Sequence, residues 1–158
     1  MGIGKRPSWE VYFLRMARLV ATRATCPRRR VGAVLVRDDR ILATGYNGAV
    51  KGAPHCEDAG CLLVRNGDRE SCVRSVHAEV NALLQCALNG VSSRDAVMFC
   101  TDFPCVACAK ALVQAGVREV VYLADYPDDN SMTVLSQGQV VVRRGTKAEV
   151  DQIAFDAD

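Results

Sequence analysis

The sequence lacks the features that mark membrane proteins and proteins that bind nucleic-acid backbones. No apolar run reaches the roughly 20 residues that a membrane-spanning helix needs. The formal net charge is only +2, whereas proteins that bind nucleic-acid backbones usually carry a strong basic excess. The sequence also shows no internal repeat and no low-complexity stretch. We therefore expect no membrane and no nucleic-acid partner, and a small charged molecule as the substrate.

We also expect no secretion signal. The first residues are basic but lead into Pro7 and Ser8 rather than into an apolar core. We therefore expect a cytoplasmic protein, in which the eight cysteines stay reduced rather than form disulfides. Metal binding or catalysis is then the first role to consider for them. A length of 158 residues predicts a single domain over residues 1–158.

The hydrophobic pattern predicts an α/β protein. Apolar residues at helical spacing alternate with short β-branched runs, which is typical of helices packed on both sides of a sheet. We predict a three-layer α/β/α sandwich with one central mixed sheet of about five strands. The predicted helices cover 8–25, 76–88 and 104–115, with a short helix before the last strand, and the predicted strands cover 31–36, 40–46, 96–101, 118–124 and 139–143.

Three side chains with the spacing of a metal site stand at two predicted helix starts. Cys105 and Cys108 are three residues apart in the first turn of a helix, so their sulfurs lie on one face. The positive end of the helix dipole favours thiolates there. His77 begins another helix and can bring one ring nitrogen to the same point. Three protein ligands leave a fourth tetrahedral position open, which is typical of catalytic rather than structural zinc.

Glu79 follows the histidine by two residues, and its carboxylate can move protons at such a site. Zinc lowers the pKa of bound water toward roughly 7, and general acid–base help is worth typically 10²–10⁴ in rate. Alone, Cys-x-x-Cys often marks half of a structural zinc site, and His-x-Glu mostly lies on surfaces. Joined by a proline before Cys105, two helix starts and an intervening strand, the motifs predict a deaminase that replaces the exocyclic amine of a base with oxygen.

The chain also resembles the deoxycytidylate deaminase family of the cytidine-deaminase-like superfamily. The resemblance covers nearly everything from Trp9 to Val142, and the tyrosine-asparagine-glycine and histidine-alanine-glutamate runs are more specific to that family than the zinc motif is. It implies zinc-dependent hydrolysis of dCMP to dUMP and ammonia, which supplies dUMP for thymidylate synthesis, and a homo-oligomer, typically a hexamer. The motifs are Val31-Gly32-Ala33-Val34, Thr44-Gly45-Tyr46-Asn47-Gly48, His77-Ala78-Glu79-Val80-Asn81-Ala82 and Phe103-Pro104-Cys105-Val106-Ala107-Cys108-Ala109-Lys110.

The resemblance further implies a role for each site residue. His77, Cys105 and Cys108 hold the catalytic zinc, and Glu79 is the proton shuttle. One departure is Val50, where the family commonly has proline in a loop that helps form nucleotide and effector surfaces, so we do not carry triphosphate regulation over to this chain. The expected substrate-binding residues are Asn47 at the sugar, the Ala78 backbone at the base, Thr101, Tyr126 near the nucleotide, and Arg30, which belongs to a run Arg28–Arg30 that either meets the phosphate or is a solvated charge run.

Four further cysteines lie in or near a polar, glycine-rich segment at 49–74, whose length is uncommon for a loop without a function. They could form a closed Cys₄ zinc site, with His55 as an alternative ligand, or remain four reduced thiols. Some members of the resembling family carry a second zinc in this region. We therefore expect one catalytic and a second, structural Zn²⁺. The four are Cys26, Cys56, Cys61 and Cys72, whereas Cys86 and Cys100 fall in apolar patterns and are expected in the core.

Two other functions fit parts of the pattern. A deaminase of another base, such as free cytidine, a riboflavin or pterin precursor or an adenosine in transfer RNA, would use the same zinc motif. The low net charge argues against the transfer-RNA version. A zinc-stabilised nucleotide-binding module without catalysis would not need a carboxylate two residues from a zinc ligand, so Glu79 argues against that alternative.

Overall fold

The computed structural model describes residues 6–126 and 128–152. Six helices and nine strands are assigned within these ranges. In chain order they are α1 (Trp9–Ala21), β1 (Gly32–Arg37), β2 (Arg40–Tyr46), β3 (Gly48–Ala49), α2 (Cys56–Ala59), β4 (Leu63–Asn66), β5 (Arg69–Cys72), β6 (Ser75–Val76), α3 (Ala78–Leu88), β7 (Val97–Asp102), α4 (Val106–Gln114), β8 (Glu119–Ala124), α5 (Asp129–Gln137), β9 (Val141–Arg144) and α6 (Lys147–Asp151).

Five strands form one mixed sheet in the order β2-β1-β7-β8-β9. β1 pairs antiparallel with β2 and with β7, whereas β7–β8 and β8–β9 are parallel pairs. The two-residue turn between β1 and β2 places Asp38 and Asp39 at φ values of 52° and 57°, as a type I′ hairpin turn requires. The predicted mixed sheet of about five strands is confirmed.

Helices cover both faces of this sheet and bury two separate apolar layers. On one face, α3, α4 and α5 pack against the sheet around Leu35, Met98 and Val120, all fully buried. On the other face, Phe13 and Leu14 of α1 pack with the other side of β1, β7 and β8, and α6 adds Val150. This is the predicted three-layer arrangement. Cys86 and Cys100 are buried in the first layer, as expected.

Several predicted boundaries are wrong by a few residues. Ser8 caps α1 as expected, since its Oγ accepts a hydrogen bond from the Val11 N–H at 3.3 Å. The helix ends at Ala21 rather than near residue 25, because the next N–H groups bond to carbonyls three residues back. α3 and α4 each begin two residues later than predicted, which places His77 and Cys105 just before the helices rather than within them.

The segment 49–74 contains more regular structure than we expected. α2 lies in its middle, β4 and β5 form an antiparallel hairpin, and β3 pairs with β6. Most side chains of the hairpin are exposed on both faces, so no alternation of apolar and polar residues marks it. Among the described helices, none has the length and apolar character needed to cross a bilayer.

Candidate metal centre and active site

The N-terminal ends of α3 and α4 converge beyond the end of β7. His77 immediately precedes α3 and Cys105 immediately precedes α4, each with an extended backbone conformation. Cys108 follows in the first turn of α4. The ligand atoms of His77, Cys105 and Cys108 all lie within 4.8 Å of one another. The structure therefore brings together the three predicted zinc ligands from two separate helices.

The distances within this group match the donor spacing of a tetrahedral zinc site. His77 Nδ1 lies 3.3 Å from Cys105 Sγ and 3.4 Å from Cys108 Sγ. A tetrahedral ion with zinc–sulfur distances of about 2.3 Å and zinc–nitrogen distances of about 2.0–2.1 Å has nitrogen–sulfur separations of about 3.6 Å. Two sulfurs and one imidazole nitrogen are also the donor types that zinc prefers. The donor set thus fits Zn²⁺ with a small adjustment.

Hydrogen bonding among these side chains already favours a thiolate. A hydrogen bond from Cys108, and then one from His77, lowers the pKa of Cys105 to about 4. The bond to Cys105 together with burial raises the pKa of Cys108, and the bond to Cys105 raises the pKa of His77. The His77 ring and the Cys105 and Cys108 side chains therefore share protons among closely spaced ligand atoms. A divalent cation bound by the same atoms would replace these protons.

Glu79 lies beside this group in the first turn of α3. Its side chain is 3% exposed, and its Oε2 lies 3.6 Å from Cys108 Sγ. Burial raises the pKa of the Glu79 carboxyl above its ordinary value. A buried carboxyl whose pKa is moved toward neutrality is suited to accept and return protons.

Two predicted substrate contacts, Asn47 and Thr101, are buried and hydrogen-bonded to the backbone of the segment that leads into β1. Asn47 is buried, its Oδ1 accepts from the Val31 N–H at 2.7 Å, and its Nδ2 donates to the Arg29 carbonyl at 2.8 Å. Thr101 Oγ1 accepts from the Gly32 N–H at 3.2 Å. Each side chain keeps further hydrogen-bonding capacity for a ligand, because an amide has two N–H groups and a hydroxyl can also donate.

The three adjacent arginines have different partners. Arg28 pairs with Glu70 of the β4–β5 hairpin at 3.3 Å. Arg29 pairs with Asp102 at 2.6 Å, and its guanidinium lies 4.9 Å from the centre of the Tyr126 ring. Arg30 is exposed and forms no hydrogen bond or ion pair with the part of the chain that the structure describes. Arg30 is therefore the member of the run whose guanidinium has no competing carboxylate there.

Sequence reasoning missed the pair of Arg29 and Asp102. The two residues are 73 positions apart, and neither belongs to the metal motif. The signal available was the position of Asp102, an acidic residue at the end of a buried strand and three residues before Cys105. Through Arg29 this carboxylate fixes a cation over Tyr126, the predicted nucleotide contact.

A second group of sulfurs lies apart from the first. Cys26, Cys56 and Cys61 offer ligand atoms within 4.8 Å of one another, and the Cys56–Cys72 and Cys26–Cys61 Sγ distances are 3.6 and 3.9 Å. A tetrahedral Cys₄ zinc site has sulfur–sulfur distances of about 3.8 Å. Burial raises the pKa of Cys56 to about 12, so a bound cation would favour the thiolate form of this residue. Neither Cys72 nor the alternative ligand His55 belongs to this three-residue group, although Cys72 contacts Cys56.

Comparison with known proteins agrees with this site. A sequence profile described as the cytidine and deoxycytidylate deaminase zinc-binding region matches residues 7–124. The chain belongs to the cytidine and deoxycytidylate deaminase family. His77, Glu79, Cys105 and Cys108 all lie within the matched range. Zinc is thus the metal that both the family and the donor set indicate.

Individual relatives are similar over most of the chain. The ComE operon protein 2 of Bacillus subtilis is 40% identical over 153 residues, which cover 96% of this chain and 77% of that protein. The deoxycytidylate deaminase of Saccharomyces cerevisiae is 40% identical over 154 residues, so the chain spans about half the length of that relative, 49%. The dCMP deaminase from the cyanophage S-TIM5, solved in complex with dCMP and dUMP, superposes with a TM-score of 0.76 at 32% identity, covering 89% of this chain and 98% of the phage chain.

Proposed function

We propose that this chain catalyses the zinc-dependent hydrolysis of dCMP to dUMP and ammonia. The observation that carries the proposal is the buried Glu79 carboxyl beside the ligand atoms of His77, Cys105 and Cys108. The relatives named deoxycytidylate deaminase, and the similar phage enzyme solved with dCMP and dUMP, support this choice of substrate. A catalytic site with three protein ligands suits hydrolysis, because one coordination position is left for water.

The roles of the residues follow from the chemistry of the reaction. His77, Cys105 and Cys108 would hold Zn²⁺, which would supply Lewis-acid activation of water near neutral pH. Glu79 accepts a proton from the water that attacks C4 of cytosine and returns it to N3 of the ring. The second proton of the water passes through Glu79 to the amine, which then leaves as ammonia. Water and the amino group are thereby exchanged for a carbonyl oxygen and ammonia, with no net oxidation.

The nucleotide contacts complete the proposal. Asn47 binds the sugar, the Ala78 backbone binds the base, and Thr101 and Tyr126 line the remaining side of the substrate. Arg30 binds the phosphate, since Arg28 and Arg29 already pair with carboxylates. A charge-assisted hydrogen bond is worth roughly 1.5–3 kcal/mol, which favours a monophosphate over a nucleoside by roughly 10- to 10²-fold per contact.

The proposed enzyme is a single domain that associates with further copies of itself. Residues 1–158 form a single deaminase domain that works in the cytoplasm as a homo-oligomer, namely a hexamer. Leu84 and Leu88, which are 53% and 79% exposed on α3, support self-association because contiguous exposed apolar residues mark interaction surfaces. A second, structural Zn²⁺ is held by Cys26, Cys56, Cys61 and Cys72. It links α2 and the β4–β5 hairpin to the segment between α1 and β1, which contains Cys26.

The test is a substrate panel measured by ammonia release. We expect kcat/KM to be highest for dCMP and lower for CMP, deoxycytidine and cytidine under one salt condition. Crowding at the 2′ carbon near Asn47 accounts for the deoxy preference, and Arg30 for the phosphate preference. If deoxycytidine matched dCMP, the nucleotide assignment would fail. Activity on an adenine, pterin or riboflavin-precursor compound but on none of the four would replace the proposed substrate class.

A further inference from the structure

The side chain of Asp128 links the starts of two helices. Its Oδ2 accepts a hydrogen bond from the Val106 N–H, the first residue of α4, at 2.8 Å. Its Oδ1 accepts from the Asn130 N–H in the first turn of α5 at 3.3 Å. Asp128 is therefore the N-cap of α5 and also satisfies a donor at the start of α4.

The α4 contact lies next to a predicted zinc ligand. Cys105 holds the N-cap position of α4, but its sulfur is directed to His77. On its other side, the Pro104 carbonyl accepts a hydrogen bond of 2.6 Å from Ser131 Oγ, and Ser131 is fully buried. Two side chains from the start of α5 thus hold the backbone on both sides of Cys105.

We propose that Asp128, supported by Ser131, is a positioning residue that orients Cys105 for the metal. The inference rests on the proposed zinc-dependent function, because it assigns Asp128 to the support of that site. Groups that orient metal ligands typically change metal affinity or activity by 10–100-fold when removed. Asp128 also donates its backbone N–H to the Tyr126 carbonyl at 2.8 Å, a contact that no substitution of its side chain removes.

The test compares zinc affinity of the full zinc-loaded chain in four variants. Zinc bound after equilibration with graded concentrations of a competing chelator is measured by elemental analysis, and the ion lost in His77→Ala defines the catalytic site. Asp128→Ala should lower the affinity of that site by about 10- to 100-fold. Asp128→Asn should restore only part of it, because one amide oxygen can replace only one of the two carboxylate oxygens that accept these N–H groups. Ser131→Ala should weaken the site, and Asp129→Ala, an exposed neighbour on the same turn, should leave it unchanged.

The steady-state constants provide a second readout. With zinc in excess, Asp128→Ala should lower kcat with KM for dCMP nearly unchanged, because the backbone contact to Tyr126 remains. Wild-type zinc affinity in Asp128→Ala, or an equal loss in Asp129→Ala, overturns the positioning role. If Asp128→Ala does not fold, wild-type affinity in Ser131→Ala overturns it instead. Altered zinc affinity in a chain that deaminates no nucleotide would support the positioning role while rejecting the proposed function.

Discussion

The substitution Glu79→Gln separates proton transfer from every other property of the site. Glutamine keeps the size of the side chain and can still accept a hydrogen bond, but it cannot take a proton from water at neutral pH. The side chain is 3% exposed, so bulk water does not take over its role. Within the described ranges, no other carboxylate is hydrogen-bonded to the side chains of the three zinc ligands.

The size of the loss follows from the number of steps that Glu79 serves. One general acid–base contribution is worth typically 10²–10⁴ in rate, and the proposed mechanism uses the same carboxyl in at least two proton transfers. We therefore expect kcat for dCMP to fall by at least about 10³, which corresponds to roughly 4 kcal/mol in the activation barrier. Zinc content should remain at the wild-type value, because Glu79 is not a ligand.

The assay is ammonia release with dCMP, combined with elemental analysis of the same sample. Glu57→Gln is the matched control, since Glu57 is an exposed glutamate in the first turn of α2, and its rate should equal that of the wild type. Near-normal turnover in Glu79→Gln would refute the proton-shuttle mechanism. Loss of zinc in Glu79→Gln would show that the carboxyl contributes to metal binding and that the rate loss has another cause.

Three further predictions concern the metal, the assembly and pH. Purified protein should hold close to two zinc ions per chain by elemental analysis. Cys105→Ala should lose the catalytic ion, whereas Cys56→Ala should mainly lower the melting temperature. A single ion per wild-type chain would contradict the second site. Light scattering should give a mass several times the 17.1 kDa of one chain, and a monomer would contradict the oligomer. Because burial raises the pKa of Glu79 in the folded state, the stability of metal-free protein should fall as pH rises from about 4.3 through that raised pKa. Glu79→Gln should lack this fall in denaturant titrations, and parallel pH profiles would contradict the assigned pKa shift.

The interior of the central sheet could be predicted because its three middle strands are covered on both faces. β1, β7 and β8 are runs of apolar, mostly β-branched or large residues between turn residues, and no position in them is exposed. Such runs identify interior strands of an α/β protein without any knowledge of their partners. The two sulfur ligands could also be predicted from local sequence. Cys105 and Cys108 are three residues apart at the start of a helix, and this spacing places their sulfurs close together.

The β4–β5 hairpin could not be predicted in the same way. Its side chains are largely exposed, so its position depends on contacts between distant residues: Cys72 with Cys56, and Glu70 with Arg28, which is 42 positions away. The pairing of Arg29 with Asp102 also depends on the tertiary fold. Residue spacing does not show which of the three adjacent arginines will pair with a carboxylate. That pairing determines which arginine remains available for a phosphate.

The close approach of α3 to the sheet gives a test that links packing to catalysis. A Cβ atom added at Gly45 would lie 2.1 Å from the Ala78 carbonyl oxygen and 2.5 Å from the Ala82 nitrogen. Both are backbone atoms, so Gly45→Ala must displace α3, the helix that follows His77 and contains Glu79. Overpacking of this kind costs typically 1–3 kcal/mol, which lowers the melting temperature by about 2–12 °C for a chain of this size.

Gly32→Ala is the matched control, because its added Cβ would lie 2.0 Å from the Ala17 carbonyl oxygen and would displace α1 instead. The two variants should lose similar stability by thermal unfolding. At a temperature where both are folded and zinc-loaded, Gly45→Ala should lose more kcat for dCMP than Gly32→Ala, since α1 contributes no zinc ligand and no proton-transfer group. Equal losses of kcat would mean that the activity follows global stability rather than the position of α3. A wild-type melting temperature for Gly45→Ala would show that α3 can shift without loss of stability. The contact of α3 with Gly45 would then not determine the geometry of the site.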